Sequence, residues 1–347
     1  QKKAQQINIA LGKMKLSPQE LVAKVLQMRD LTEVDIEILC CCIPSAEETK
    51  QLKELAQTTD IDMFEKPERF IITTFLIKNY DQRMRNWRFM KNFAFEIQTF
   101  KPNFQINLRF YDFLLHNQRF RGFLHLMMSM ANCINAGTAR GGVLGLKLQS
   151  FTAFCDMKDV QQQKTVMDYC MELAHHLSQK DEKIQEYIQR LKEDPLLVEF
   201  QEAKYPTLTA LDELAIICKR LDKTCFQEEQ IEFDKLIQQM NTLKSNVPEM
   251  VSGNFDCYQK EVTEFLEVAE FQLEETDKIR KQIDQMFEKT KEYYVEGKTV
   301  KMEDFIGNFN KFSIAVQKLK AIFQQEIDKQ HKEEMKRERQ LKAIFQQ

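Results

Sequence analysis

Glycine is scarce in this chain and it is concentrated. Of nine glycines in 347 residues, four (Gly137, Gly141, Gly142 and Gly145) fall inside one short stretch. On both sides of it the apolar residues step by threes and fours, the period of an amphipathic helix. A helical chain that gathers its glycines in one place needs the backbone there to turn, or to approach something closely. The stretch runs from Met127 to Lys158, MMSMANCINAGTARGGVLGLKLQSFTAFCDMK. Asn132 and Asn135, three apart, share a face of the helix that leads in. Leu146, Leu148, Phe151 and Phe154 then resume an apolar pattern that ends at Asp156 and Lys158.

The chain before this stretch predicts short helices with tight connections. Ser17-Pro18-Gln19-Glu20 is a capping box with proline at the first helical position. Thr32 to Asp35 marks a second start, Pro44 a stop, Ser45 to Glu48 a third start and Pro67 a fourth. From Asp81 to Arg121 basic residues outnumber acidic ones, and Trp87, Phe89, Phe93, Phe95, Phe100, Phe104 and Phe110 are interleaved among them. Such a mixture can be a stacking surface for nucleic acid. Helical spacing of the rings, and a net charge of -3, favour a buried stripe with solvated charges outside it. Pro102 reads as a break in this segment.

After Lys158 a long helix is expected through Leu177, and another from Leu208 to Met240. Asp194-Pro195, Pro206 and Val247-Pro248 are the breakers between and after them. Tyr293 to Gly297 marks a further break. Phe305, Phe309, Phe312, Val316, Leu319 and Phe323 then alternate steps of four and three, heptad spacing that favours helices packed side by side. Residues 328–340 are nearly all polar or charged and read as a solvated helix or tail. The heptapeptide at Leu319 to Gln325 recurs at Leu341 to Gln347, too short to be a structural repeat. The fold class predicted is all-α.

Several function classes are disfavoured. No apolar run approaches the ~18 residues that span a bilayer, and no secretory signal opens the chain. It begins Gln-Lys-Lys and reads as an excised fragment. Nine scattered cysteines, Cys40 to Cys42 in a row, point to reduced thiols in the cytosol. Cys170 with His175 and His176 is the nearest approach to a metal set, but adjacent histidines leave a helix on different faces. The glycines match neither a phosphate loop, since Lys147 has no hydroxyl residue after it, nor a dinucleotide fingerprint, since no strand precedes them. No nucleophile and base share a recognisable spacing. Neither an enzyme, nor a cofactor, nor a metal, nor a nucleic-acid partner is expected.

The glycine stretch resembles the signature of the formin homology-2 domain. That pattern runs Gly-Asn-any-Met-Asn-any-Gly, an Arg with small residues, Gly-Phe, spaced leucines, and Asp-any-Lys. Without a gap it matches Asn132, Asn135, Gly137, Arg140, Gly142, Gly145, Leu148, Asp156 and Lys158; Ala131, Ile134 and Leu146 stand where it has Gly, Met and Phe. Ile9, Leu11, Leu16-Ser17-Pro18, Pro44, Pro67 to Phe70, Arg83, Phe89 and Phe93 are family-like as well. Tyr293 to Gly297 is similar to the family's Tyr-Phe-Gly-Glu.

The resemblance implies an elongated all-α unit, with a knob-like lobe over 1–110 and a post with long coiled-coil helices over 111–347. It implies nucleation of actin filaments and processive capping at the barbed end, in the cytoplasm and cytoskeleton, with actin as partner. Ile9 and Lys158 would sit on actin-contacting faces. Asn132, Asn135, Gly137, Arg140, Gly142 and Gly145 would build a groove that receives the partner subunit's N-terminal lasso. Formin lassos carry tryptophans, whereas the only one here is Trp87 and residue 1 already lies at the knob. A homodimer is therefore expected with a lasso upstream, and a mostly monomeric chain without it. Taken alone, the residues leave plainer readings open: capping asparagines, a core Ile9, a solvated Lys158, and a helical scaffold or adaptor without actin activity.

Overall fold

The computed structural model describes residues 2–178, 186, 189–190, 193, 208–223, 225–247 and 256–344. Among them the fold is all-α, and the nearest thing to a strand is an isolated antiparallel bridge between Lys158 and Thr165. Pro195, Pro206 and Pro248, three of the expected breakers, lie outside the described residues. No described helix is long and apolar enough to cross a membrane.

Five short helices open the chain: α1 (Lys2–Met14), α2 (Pro18–Gln27), α3 (Glu33–Cys41), α4 (Ala46–Thr58) and α5 (Lys66–Thr74). Reciprocal capping boxes start three of them, Ser17 with Glu20, Thr32 with Asp35 and Ser45 with Glu48. Each satisfies two N–H groups that a helix start otherwise leaves open. Then come α6 (Tyr80–His116), α7 (Gln118–Ile134), the single turn α8 (Ala153–Asp156) and α9 (Val166–Ser178). The last four are α10 (Thr209–Leu221), α11 (Phe226–Asn246), α12 (Tyr258–Tyr293) and α13 (Met302–Ile344).

Three expectations are corrected. α6 continues through Pro102. The missing N–H costs a hydrogen bond, but Ile97 and Phe104, on either side of the proline, are both buried and hold the helix to its course. No helix runs directly on from Lys158; residues 159–165 are a loop, and α9 begins after a capping box formed by Thr165 and Asp168. The helix expected from Leu208 to Met240 is two helices, parted by the turn at Asp222.

The chain divides into two units, one of residues 1–100 and 230–277, the other of 101–229 and 278–347. In the first, Ile7, Leu21, Val25, Leu39, Phe70 and Trp87 form a core with Leu243, Tyr258 and Val262. A fully buried Arg83 donates to Asp256 (Nη1 to Oδ1, 2.7 Å), and its guanidinium lies 4.6 Å from the centre of the Tyr258 ring. Asn86 donates to the Tyr258 hydroxyl at 2.6 Å. The charge is affordable in a dry core because it is paired in a forked geometry, and it fixes the start of α12.

In the second unit, the heptad residues Phe305, Phe309, Phe312 and Val316 are all at most 1% exposed. Their partners are within the unit: α13 packs along α9 and α10, and Phe309 meets Phe110, Phe120, Phe151 and Tyr294. Glu213 of α10, also buried, accepts from Arg109 (2.6 Å) and Asn117 (3.0 Å). Lys320 of α13 is paired with Asp212. Four of the seven rings of the basic segment, Trp87, Phe93, Phe104 and Phe110, are buried and have no face on which a base could stack; Phe89 and Phe100 are half-buried, and Phe95 is exposed.

Candidate functional site

α7 ends where the glycines begin, and each motif residue has a definite place there. Asn135 is the C-cap of α7, with its side chain donating back to the Ala131 carbonyl at 2.8 Å. Asn132 reaches across the loop instead. Its amide donates to the Val143 carbonyl at 2.9 Å and accepts from the Val143 N–H at 2.8 Å. One side chain thus serves residue 143 as a neighbouring strand would, at both its donor and its acceptor. Gly137 and Gly142 have φ of +76° and +73°, the left-handed region that glycine enters without penalty. At Gly141 an added Cβ would meet the Asn135 carbonyl oxygen at 2.6 Å.

Gly145 differs from these three. Its φ is not left-handed and an added Cβ would touch nothing. It lines a groove of about 490 Å³ instead. One wall is the outer row of α7, Arg121, Leu124, His125 and Met128; the others are Leu144–Lys147 and Tyr293–Val295. Phe120, Phe123 and Met127 of α7 point into the core, so this helix is apolar on two sides. Arg121 covers the Tyr293 ring at 5.4 Å. Tyr294 is buried behind the groove, and burial together with the neighbouring Tyr293 pushes its hydroxyl well above the ordinary tyrosine range.

The groove rim is apolar and open to solvent. Leu144 is 97% and Val295 is 87% exposed. Val295 also has φ of +54°, which a β-branched residue adopts only with strain. The formin pattern has glycine at that point. Sequence reading placed a break at Tyr293 to Gly297 but missed that it faces the glycine loop. A helix apolar on two sides was the available signal.

Lys158 lies past the turn α8, at the start of the 159–165 loop. Its backbone is bridged to Thr165, and its side chain is exposed and has no ion pair among the described residues. Arg140 also projects from the surface. Ile9, in the other unit, is 54% exposed on α1, while Ile7 two residues earlier is buried in the core. The apolar position that packs α1 is therefore Ile7.

Among the described residues no three His, Cys, Asp or Glu side chains converge as a metal site. Burial pushes the Cys155 and Cys170 thiols up to about 12, far from a nucleophile's range. What the second unit offers is surface: a glycine frame, an open apolar groove beside it and an exposed lysine. That is an all-helical unit whose candidate site is an exposed loop and groove.

Comparison with known proteins agrees. The model of the Formin Homology 2 Domain matches residues 1–317, and the chain belongs to that family. It is 24% identical over 325 residues to "Disheveled-associated activator of morphogenesis 1" of Mus musculus, covering 92% of this chain and 28% of that protein. To "Protein diaphanous homolog 2" of Homo sapiens it is 23% identical over 315 residues, 90% of this chain and 26% of the relative. To "Formin-like protein 13" of Arabidopsis thaliana the figures are 26% over 272 residues, 78% and 19%. The chain thus spans between 19% and 28% of the length of these relatives.

Proposed function

We propose that this chain assembles actin: that it binds the barbed end of the filament, nucleates new filaments, and stays on the growing end as subunits add. The observation that carries the reading is the motif of Asn132, Gly137, Gly142 and Lys158 inside a family match over residues 1–317. It is supported by the placement of Ile9 and Lys158, both exposed and neither needed for internal packing. Binding energy is the whole of the mechanism. Two subunits would hold successive actins, and no covalent bond is made or broken. The groove beside Gly145 would receive an apolar or aromatic segment from a second subunit. With actin as its partner, the protein would act in the cytoplasm, on the actin cytoskeleton.

The test is polymerisation of pyrene-labelled actin from barbed-end seeds, with and without the purified chain. The reading requires slowed or altered elongation at the seeded end and faster assembly from monomers. Lys158→Asp should strongly reduce both, since like charges placed at an interface add repulsion, with no change in melting temperature. A chain that leaves seeded and unseeded assembly untouched would be a helical scaffold instead.

A further inference from the structure

The loop that follows Lys158 carries the most exposed large aliphatic side chain described in the molecule. Val160 is 101% exposed, at the tip of Asp159-Val160-Gln161-Gln162-Gln163, and Met157, just before Lys158, is 52% exposed. A single exposed valine needs no explanation by itself. This one sits on a loop whose ends and whose Asp159 carboxylate are held in place. The Asp159 N–H donates to the Lys164 carbonyl (2.9 Å) and the Val166 N–H to the Met157 carbonyl (2.8 Å), closing both ends. The Asp159 carboxylate accepts from the Gln163 N–H (2.9 Å) and from the Tyr169 hydroxyl (3.0 Å). The charges are sorted as well. Lys164 is paired with Glu172 and Asp168 caps α9, whereas Lys158 has no ion pair among the described residues.

We propose that Val160 is a further actin-contacting residue, presented with Lys158 and Met157 on a pre-ordered finger, and that Asp159 and Tyr169 are the residues that position it. This rests on the actin reading above and extends it to an apolar contact that the motif does not contain. The surface it fits is an apolar hollow beside an acidic group, the first for Val160 and the second for Lys158. A loop already ordered loses little freedom on docking, so an aliphatic tip gains affinity that a mobile loop would forfeit. The two contacts differ in their response to salt. Lys158 acts through charge and is screened; Val160 is not.

The experiment is binding of the purified chain to barbed-end actin seeds at low and at high salt. Val160→Ser should weaken binding about tenfold, as expected for withdrawing one buried aliphatic side chain, by the same factor at both salts and with an unchanged melting temperature. Lys158→Met should weaken it by a factor that shrinks as salt rises. Asp159→Ala, which frees the loop but keeps both contacts, should also weaken it. If Val160→Ser binds as the parent does while Lys158→Asp does not, the Val160 contact is refuted and the actin reading stands. A fall in the melting temperature of Val160→Ser makes the residue structural and overturns the proposal too. If Asp159→Ala alone has no effect, its positioning role falls. Should the parent chain fail to engage seeds, the actin reading falls and this contact with it.

Discussion

Asn132→Ala tests the frame directly. Asn132 ties the loop at Val143 to α7, through one donated and one accepted hydrogen bond. A bond of this kind is worth about 0.5–1.5 kcal/mol net, so the pair holds the loop closed by about 1–3 kcal/mol. Removing the side chain converts that into local opening, not global unfolding, because the core residues Phe120, Phe123 and Met127 are untouched. The Val143 amide should exchange with deuterium roughly five-fold to a hundred-and-fifty-fold faster, with the global melt hardly moved. Asn132→Asp keeps the acceptor for the Val143 N–H and loses the donor, so it should fall between the two. Asn135→Ala removes one bond, to Ala131, and should loosen the end of α7 while leaving Val143 protected. If Val143 exchanges equally fast in Asn132→Ala and the parent, the clamp is not what shapes this loop.

The glycines should separate by role. Gly142→Ala, forced into a left-handed backbone, should lower stability by about 1–2 kcal/mol, whereas Gly145→Ala should melt like the parent and Gly145→Trp, in a chain extended by an upstream lasso, should block association with a second subunit, read by sedimentation. Conversely Val295→Gly should raise stability in denaturant titration: about 1–2 kcal/mol of strain is relieved, offset by about 0.4–1 kcal/mol of chain entropy. Ile7→Ala should cost about 2–5 kcal/mol as a core truncation, and Ile9→Ala within about 0.5 kcal/mol while weakening seed binding; equal melting losses would show that Ile9 is packed. Hydrogen bonds from the Gln163 backbone and, to a smaller degree, the Tyr169 hydroxyl hold the Asp159 carboxylate below the usual aspartate range. Its folded pKa lies below the unfolded value, so the order it lends the loop is full above about pH 4 and is lost as pH falls through the folded value. Exchange at the Gln163 amide, corrected for intrinsic rates, should accelerate over that acid window and not between neutrality and about pH 5.

Much of this was legible without coordinates. Helix starts were, because a capping box is a local device: Ser17 and Glu20, or Ser45 and Glu48, satisfy each other within one turn whatever else the chain does. The all-α class followed from the period of the apolar residues, and the family from residue spacings at the glycine loop. Signals that compete with tertiary packing misled. Pro102 looked like a break, and burial on both sides carries α6 through it. The heptads of α13 suggested packing without naming the partner, which is the ring cluster of its own unit. The capping box of Thr165 and Asp168 was present in the sequence and marks the true start of α9.

Other features could come only from the folded chain. No local rule says that Asn132 would find Val143 rather than its own helix, that Ile7 and not Ile9 would turn inward, or that the left-handed Val295 would face Gly145. Each depends on which elements meet in space, and a helix with apolar residues on two sides cannot reveal in sequence which side the core will take. Sequence determined the segments and the identity of the loop. Packing decided which of its residues were spent inside the fold and which were left facing out.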